Sequence, residues 1–350
     1  MPDSSLPTLN TAGDAPTRTS LERQLAAQRA RRPADPLLSL IVPVFNEEES
    51  IDLFLNEIEP ALDMAGLRFE VVFVNDGSRD NTLAHLLDRS NRDRRVKIVN
   101  LSRNFGKEAA LTAGIDHAQG DVLVPMDIDL QDPPELIARF VEQWRHGYDI
   151  VYGVRSSRNR DTLAKRLSAG WFYRVFNSMS PVRIPANVGD FRLVDRRAVE
   201  VLRRLPERNR FMKGLFAWVG FNAIGVSYER PQRAAGTSKF NLWRLWNFAL
   251  DGVVSFSTVP LRASFYVGVA IAAVAVLYAM FILTRVLILG IDTPGYASLL
   301  IAVLLLGAIQ LLSLGVIGEY LGRLFLEVKG RPIYVVEGVY EEGEPRTPEA

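Results

Sequence analysis

Five short apolar runs alternate with more polar segments between residues 38 and 155. The runs are almost continuously apolar, which is typical of strands buried on both faces of a parallel sheet. The polar segments between them are long enough for helices, and Gly and Pro residues interrupt the pattern at their ends. The pattern therefore predicts an α/β fold, with strands over 38–45, 69–75, 96–101, 121–127 and 149–155 and helices over 47–64, 80–92, 107–117 and 133–146.

Two longer apolar segments follow nearer the C-terminus. Residues 263–284 and 293–318 contain no charged side chain. At a rise of about 1.5 Å per residue, each can cross a hydrocarbon core of about 30 Å. Two buried core helices are the alternative, but the length and the lack of a charged face favour a transmembrane pair, predicted at about 263–284 and 294–318.

Basic residues flank this pair on the outer sides. Arg262 precedes it, and Arg323, Lys329 and Arg331 follow it. An excess of Lys and Arg marks the cytoplasmic side of a membrane protein. We therefore expect a multi-pass protein of the cell inner (plasma) membrane, with its catalytic domain and both termini in the cytoplasm.

The remaining segments complete the predicted domain organisation. Residues 1–36 lack a sustained apolar pattern and are predicted to be a disordered tail. Residues 163–179 and 241–262 are aromatic-rich helices that lie at the membrane surface or pack on the sheet. A short strand at 333–337 has unpaired edges, which predicts a homo-oligomer. The predicted divisions are 1–36, 37–240 (catalytic domain), 241–262, 263–322 (transmembrane pair) and 323–350 (strand and acidic tail).

Composition excludes several classes of protein. The net charge is +1, so no basic field indicates a nucleic-acid partner. The absence of cysteine excludes a disulfide framework, a thiol nucleophile and a Cys-zinc site. The three scattered histidines argue against a His-rich metal centre. No G-x-G-x-x-G or G-x-x-x-x-G-K-[ST] fingerprint is present, which argues against a dinucleotide enzyme and a P-loop ATPase.

Acidic residues mark the end of the fourth predicted strand. Asp127 and Asp129 follow the apolar run 122–125 and, in extended chain, would point the same way. Open α/β sheets bind ligands at the carboxyl edge. Paired acidic oxygens there suit a hard divalent cation, which commonly accompanies a diphosphate. An EF-hand fails, because Asp132 stands where that loop needs glycine.

Two neighbouring strand ends add polar groups at the same edge. The first ends in Pro43-Val44-Phe45-Asn46-Glu47, and the second in Asn75-Asp76-Gly77-Ser78. Asp76 could accept a hydrogen bond from a nucleobase or a ribose hydroxyl, and Gly77 permits close backbone approach. A turn followed by a helix cap is the alternative for this motif.

Taken together, the motifs resemble those of glycosyltransferase family 2, and specifically its polyprenyl-phosphate glycosyltransferases. The resemblance covers about 38–337 and includes the bactoprenol glucosyltransferase, dolichol-phosphate mannosyltransferase and undecaprenyl-phosphate aminoarabinose transferase types. It implies a GT-A fold. It rests on the segments above and on Ser102-Arg103-Asn104-Phe105-Gly106-Lys107, Asp127-x-Asp129-Leu130-Gln131-Asp132-Pro133-Pro134-Glu135, Gly189-Asp190-Phe191-Arg192, Arg210-Phe211-x-Lys213-Gly214, Gly236-Thr237-Ser238-Lys239-Phe240 and Ser255-Phe256-Ser257-x-x-Pro260-Leu261-Arg262.

The resemblance also implies a role for each site residue. Asp129 and Gln131 would bind Mg²⁺ or Mn²⁺, with Asp127 facing the donor's ribose or sugar. Asp190 would act as a base or orienting group, or form a structural ion pair with Arg192. The nucleoside would be held by Pro43, Phe45, Glu47 and Asp76, and the phosphates would be faced by Arg155, Arg233, Lys213 and Lys239.

The implied reaction moves a sugar from a nucleotide sugar to a polyprenyl phosphate lipid. The acceptor phosphate is already an anion, so the reaction needs no strong base, and direct attack predicts inversion. A separate flippase would act downstream. One alternative is a processive polysaccharide synthase, which would need more spans and usually a Q-x-x-R-W motif where this chain has Trp218-Val219-Gly220-Phe221. The other is a non-catalytic, membrane-anchored nucleotide-sugar-binding protein.

Overall fold

The computed structural model describes residues 8–9, 18–155, 188–208, 210–228, 257, 259–289, 295–342 and 344–346. Within these ranges the strands form a single mixed sheet in the order β1-β8-β6-β7-β5-β2-β3-β4-β9-β10. The strands are β1 (Thr8–Leu9), β2 (Leu37–Val44), β3 (Arg68–Asn75), β4 (Val96–Leu101), β5 (Val122–Pro125), β6 (Ile150–Arg155), β7 (Val188–Asp195), β8 (Ala223–Tyr228), β9 (Val336–Glu341) and β10 (Glu344–Arg346).

Helices cover both faces of this sheet. They are α1 (Arg18–Arg29), α2 (Ile51–Met64), α3 (Thr82–Arg92), α4 (Lys107–His117), α5 (Leu136–Arg145), α6 (Arg196–Arg204), α7 (Met212–Trp218), α8 (Val259–Leu289) and α9 (Tyr296–Lys329). The α/β prediction is therefore confirmed. The four predicted helices are present as α2 to α5, and α2, α3 and α5 begin later than expected.

The central strands β5, β2, β3 and β4 are parallel, as their apolar runs predicted. Successive residues of β2 point to opposite faces. Leu40 packs with α2, α3 and α5, whereas Ile41 packs with α4, α6 and α7. Helix α4 lies especially close to the sheet, because a Cβ added at Gly114 would lie 2.3 Å from Ile41 Cγ2.

One strand interrupts the expected parallel series. β7 lies between β5 and β6 and is antiparallel to both. It was not predicted as a strand, although its Gly189-Asp190-Phe191-Arg192 motif was singled out. Its register pairs Val122 with Asp195 and Leu123 with Val194. The insertion matters because it brings the start of β7 to the carboxyl edge of the sheet.

The predicted disordered tail is wrong for residues 18–36. This segment contains α1 and packs on the catalytic domain. The Arg32 guanidinium is buried, forms ion pairs with Asp195 and with Asp149 (3.2 Å), and lies 4.4 Å from the Trp144 ring centroid. A polar composition predicts disorder only when the charges find no buried partners, and here two carboxylates supply them.

The apolar C-terminal segments form the long helices α8 and α9. Among the described residues these two helices are long and apolar enough to cross a membrane, at Leu261–Tyr278 and Leu305–Lys329, and both windows are unburied. α9 runs eleven residues past the predicted end at residue 318, to Lys329. Its last turns touch the catalytic domain, because Glu327 accepts a hydrogen bond from the Arg208 backbone N–H (2.9 Å). The predicted helices at 163–179 and 241–258 lie outside the described residues, apart from Ser257.

The strand predicted at 333–337 forms as β9, over Val336–Glu341. It pairs with β4 on one side and with β10 on the other. Both of its edges are therefore occupied within the chain, so the argument for a homo-oligomer from an unpaired β9 is wrong. The pairing also fastens the segment that follows α9 to β4.

Candidate active site

Two acidic residues face each other at the carboxyl edge of the sheet. Asp127 lies two residues beyond β5, and Asp190 is the third residue of β7. Because β7 is antiparallel to β5, the start of β7 lies beside the segment that follows β5. Lys107, the first residue of α4, joins them: its Nζ lies 2.6 Å from Asp127 Oδ1 and 3.2 Å from Asp190 Oδ2.

The charges of this cluster stabilise one another. Burial opposes ionisation of Asp190, but Lys213 and Lys107 outweigh it and lower its pKa to about 2. Burial likewise opposes the Lys107 charge, while the two carboxylates raise the pKa of the ammonium group above its usual range. Lys213 Nζ lies 3.6 Å from Asp190 Oδ1. Asp190 is therefore ionised at neutral pH and is a weak proton acceptor.

Arg192 is the ion-pair partner that the sequence suggested for Asp190, and its guanidinium binds backbone carbonyls. Arg192 donates hydrogen bonds to the backbone carbonyls of Gly189 (2.8 Å) and Asp190 (3.3 Å) and lies over the Phe216 ring. It therefore shapes the β7 backbone, while Lys107 and Lys213 pair with the Asp190 carboxylate.

Asp129 and Gln131 lie together on a turn. The strand ends at Pro125, so residues 127–129 are not extended as expected, and Leu130 adopts a left-handed φ of 52°. The Gln131 side-chain amide donates to Asp129 Oδ2 at 2.6 Å, and its backbone N–H donates to Oδ1 at 3.2 Å. Asp129 is exposed and Gln131 is buried.

This turn can supply part of the ligand set of the expected divalent cation. It offers carboxylate and amide oxygens, which Mg²⁺ and Mn²⁺ accept. Across the described part of the chain, no group of three His, Cys, Asp or Glu side chains could hold a metal ion. A cation here would therefore take most of its remaining ligands from substrate and water.

Asp76, just after β3, holds protein backbone at the same edge of the sheet. Its carboxylate is buried and accepts hydrogen bonds from the backbone N–H groups of Phe105 (2.7 Å) and Gly106 (2.9 Å). Burial raises its pKa, and these two hydrogen bonds oppose the rise. The sequence suggested a base- or ribose-binding role, and the structure adds that both carboxylate oxygens already bind the loop between β4 and α4.

Gly77 allows the same loop to come close. Its φ is +66°, and an added Cβ would lie 2.4 Å from the carbonyl carbon of Arg103. The close approach expected at Gly77 is therefore made by residues 103–104 of the chain.

The end of β2 lies next to the turn that follows β3, because the Asp76 N–H donates to the Val44 carbonyl (2.9 Å) and the Asn46 N–H to the Ser78 hydroxyl (2.9 Å). Phe45 leaves 42% of its surface exposed, although it directly follows a buried strand. Pro43 is partly buried. Glu47 accepts a hydrogen bond from the Ser50 hydroxyl (2.7 Å), and its backbone N–H donates to Thr82 Oγ1 (3.0 Å). Because β3, β2 and β5 are neighbours, the structure brings these residues to the same edge as Asp76 and the Asp129 turn.

Three predicted phosphate-facing residues are not placed by the structure. Arg233 and Lys239 lie outside the described residues. Arg155 ends β6, but the description covers its backbone and not its side chain. Lys213 lies in the first turn of α7, beside Asp190.

Two residues of the site were missed from the sequence. Lys107 was quoted within a motif but given no role, and Glu108 was not considered. The Glu108 carboxylate accepts a hydrogen bond from the Met212 backbone N–H (3.3 Å), and burial together with nearby Asp190 raises its pKa to about 7. Their position at the start of a helix on the carboxyl edge was the available signal.

The mixed α/β sheet with an acidic turn at its carboxyl edge is the setting in which comparisons with known proteins identify a glycosyltransferase. The family model for glycosyl transferase family 2 matches residues 39–203, and that for the GtrB C-terminal hairpin matches residues 259–324. The chain is 47% identical over 300 residues to the SfII prophage-derived bactoprenol glucosyl transferase of Shigella flexneri, covering 86% of this chain and 97% of the relative. The chain belongs to glycosyltransferase family 2.

A second relative agrees with this membership. A prophage bactoprenol glucosyl transferase homolog of Escherichia coli K12 is 46% identical over 302 residues, covering 86% of this chain and 99% of the relative. Glucosyl-3-phosphoglycerate synthase from Mycobacterium tuberculosis, crystallised with Mn²⁺, UDP-glucose and phosphoglyceric acid, is 19% identical with a TM-score of 0.43, covering 71% of this chain and 86% of that one.

Proposed function

We propose that this glycosyltransferase transfers a sugar from a UDP- or GDP-sugar to the phosphate of a membrane polyprenyl phosphate, undecaprenyl or dolichyl phosphate. The product would be a polyprenyl-phosphate sugar used to build or modify cell-envelope glycans or lipids. The main support is the charged cluster of Lys107, Asp127 and Asp190 beside the Asp129 turn, in a chain that also carries two long apolar helices. The names of the bactoprenol glucosyl transferase relatives point to the same donor–acceptor chemistry.

The donor would lie along the carboxyl edge of the sheet. The exposed Phe45 ring gives a nucleoside a surface to stack on, next to Pro43, Glu47 and the Asp76-anchored loop. The diphosphate would then reach the turn of Asp129 and Gln131, with the sugar toward Asp127. We assign Arg155, Arg233, Lys213 and Lys239 to the donor and acceptor phosphates, because guanidinium and ammonium groups bind phosphate oxygens.

Asp129 and Gln131 would hold Mg²⁺ or Mn²⁺. A bound cation there would neutralise charge on the departing nucleotide diphosphate. The exposed Asp129 carboxylate can meet the ion without a change in burial, while the hydrogen bonds from Gln131 fix its orientation. Lys107 and Lys213 add fixed positive charge on the sugar side.

The acceptor phosphate does not need a strong general base. A phosphate monoester is already anionic at neutral pH, so one of its oxygens can attack the anomeric carbon directly. The new oxygen–carbon bond forms as the bond from that carbon to the diphosphate oxygen breaks. Asp190, whose pKa is about 2, would hold Lys107 and Lys213 in position and would be a poor general base. A single displacement inverts the anomeric configuration.

The apolar helices would keep the site at the lipid surface. A polyprenyl chain stays in the bilayer, so its phosphate reaches the enzyme only in the headgroup layer. We propose that α8 and α9 span the inner membrane as a hairpin, with the catalytic domain and both termini in the cytoplasm. The basic residues at or just beyond the outer ends of these two helices, Arg262, Arg323, Lys329 and Arg331, support this orientation. A separate flippase would then move the product across the membrane.

Purified full-length protein in detergent tests the proposal. It is incubated with undecaprenyl phosphate, Mg²⁺ or Mn²⁺, and either UDP-glucose or a panel of other nucleotide sugars, and the lipids are analysed by mass spectrometry and NMR. We expect a glycolipid of inverted configuration and its loss with EDTA. A polymer product would indicate a processive synthase, nucleotide binding without turnover would indicate a non-catalytic protein, and retained configuration would reject direct displacement.

Substitution of the turn provides the matched comparison. Asp129→Ala should lower kcat by at least about 100-fold, as expected when a group that stabilises developing charge is lost. Asp88→Ala removes an exposed carboxylate that pairs with Arg92 on α3 and should leave turnover near wild type. Equal activity of Asp129→Ala and wild type would contradict the assigned role of the turn.

A further inference from the structure

We propose that Asp76 and Lys107 are positioning residues at the two ends of one connection, through which the nucleoside end of the site sets the arrangement of Asp127 and Asp190. The connection is the loop of residues 102–106 between β4 and α4, here called the relay loop. This inference rests on the proposed function, and it assigns Asp76 a role through the relay loop.

The first end of the connection is the Asp76 carboxylate. Each of its oxygens accepts one backbone N–H from the relay loop, from Phe105 at 2.7 Å and from Gly106 at 2.9 Å. Hydrogen bonds to an ionised acceptor are about twice as strong as those between neutral groups. Gly77, directly after Asp76, leaves room for the backbone of residues 103–104 to pack against it. The relay loop is therefore held by charge and by close packing at the same point.

Gly106 transfers this constraint to α4. Its N–H donates to Asp76, while its carbonyl accepts the first hydrogen bond of the helix from the Ala110 N–H at 3.0 Å. Gly106 has a φ of +98°, which disfavours any residue with a Cβ. Gly114, two turns further on, packs against Ile41 of the sheet and prevents the helix from sliding. The backbone of Lys107 is thus fixed on both sides.

Lys107 is the second end of the connection. It touches both acids, at 2.6 Å from Asp127 and 3.2 Å from Asp190, whereas Lys213 lies 3.6 Å from Asp190. Two carboxylates held opposite each other repel unless a cation lies between them. We therefore expect a displaced Lys107 to let the acids separate and the first residues of β7 to loosen.

A double-mutant cycle on turnover tests the connection. UDP-glucose and undecaprenyl phosphate are the substrates, and the variants are Asp76→Asn, Lys107→Met and the double variant. Asn keeps one acceptor oxygen and turns an NH₂ group toward the relay loop, so it should displace Lys107. We expect each single variant to lower kcat by about 10- to 100-fold, and Lys107→Met to leave donor KM nearly unchanged. The double variant should be no worse than about threefold below the poorer single variant, because residues acting through one element are not additive.

A direct contact between Asp76 and the nucleoside is compatible with the proposal, because a carboxylate that accepts two N–H groups has further acceptor sites. Such a contact would raise donor KM and weaken UDP binding in calorimetry for Asp76→Asn. An effect of Asp76→Asn on kcat that multiplies with that of Lys107→Met would overturn the proposal. Lys107→Arg should restore kcat to within about tenfold of wild type, since it keeps the cation, and failure of this rescue would count against a role based on charge. Asp88→Asn, on exposed α3, serves as the control variant.

Hydrogen exchange followed by mass spectrometry tests the connection without turnover. We expect Asp76→Asn to speed exchange in both residues 102–106 and residues 188–191, and Lys107→Met to speed it in residues 188–191. Unchanged exchange at 188–191 in both variants would overturn the proposal even if no sugar donor were found. Should Asp76→Asn fail to fold, Lys107→Met and Lys107→Arg alone decide the result. A wild-type protein that transfers no sugar would reject the proposed function and leave this exchange test intact.

Discussion

Replacing Glu108 by glutamine should change how the stability of the catalytic domain depends on pH. Burial and nearby Asp190 raise the pKa of this carboxyl from 4.5 to about 7 in the folded protein. Between pH 4.5 and about 7, the Glu108 carboxyl therefore keeps a proton in the folded state that it has already released in the unfolded state. Stability from the protonated form is complete below about pH 4.5 and is lost as the pH rises through about 7. The amide of the Glu108→Gln variant stays neutral and should not show this loss.

The size of the effect follows from the pKa difference. A rise from 4.5 to about 7 corresponds to about 3 kcal/mol, and the partial exposure of Glu108 reduces it to about 1–3 kcal/mol. For a domain of this size, 1 kcal/mol shifts Tm by about 2–4 °C. The glutamine side chain can still accept the Met212 N–H hydrogen bond, so the two proteins should have similar Tm values at pH 5. At pH 8 we expect Glu108→Gln to melt about 3–10 °C above wild type.

Thermal unfolding of detergent-purified protein between pH 5 and 8.5 measures this difference. Tryptophan fluorescence and a thiol-independent dye give two probes of the same transition. Glu200→Gln, which changes a half-exposed glutamate paired with Arg203, is the control and should run parallel to wild type. Parallel curves for Glu108→Gln and wild type across the whole pH range would refute the argument that burial keeps Glu108 protonated.

Two further predictions concern stability. Gly77→Ala should lower the unfolding free energy by about 2 kcal/mol or more and reduce turnover, because the new Cβ would lie 2.4 Å from the Arg103 carbonyl carbon. Gly66 is the control, since it has a similar φ but open surroundings. Gly66→Ala should lower the unfolding free energy by about 1 kcal/mol. Arg32→Met should cost about 2–4 kcal/mol in denaturant unfolding, because it removes the guanidinium that lies between the buried Asp149 and Asp195 carboxylates. Asp149 would keep only the more distant Arg197, at 3.6 Å, and Asp195 would keep two N–H donors. Arg68→Met, at an exposed pair, should stay within about 1 kcal/mol. Equal losses within either pair would contradict its explanation.

Local features of the sequence determined much of this protein. Continuous apolar runs gave the parallel strands β2 to β5, since burial on both faces requires apolar residues at every position. Length and lack of charge gave the two long apolar helices. The motifs at the strand ends located the carboxyl edge and its acidic residues. Each of these signals is contained in a window of a few to about thirty residues, so no knowledge of tertiary contacts was needed.

Only the tertiary structure decided which groups meet at that edge. Lys107 reaches Asp190 across 83 residues of chain, and Asn100 hydrogen-bonds Glu337 of β9 across 237. The insertion of β7 beside β5, the closure of β9 on β4 and the burial of Arg32 are likewise long-range pairings. Whether an ionised side chain is solvated, paired or buried depends on partners that local composition does not specify. For that reason the sequence predicted a ligand contact at Asp76, and only the fold shows that its carboxylate also holds the loop that leads into Lys107.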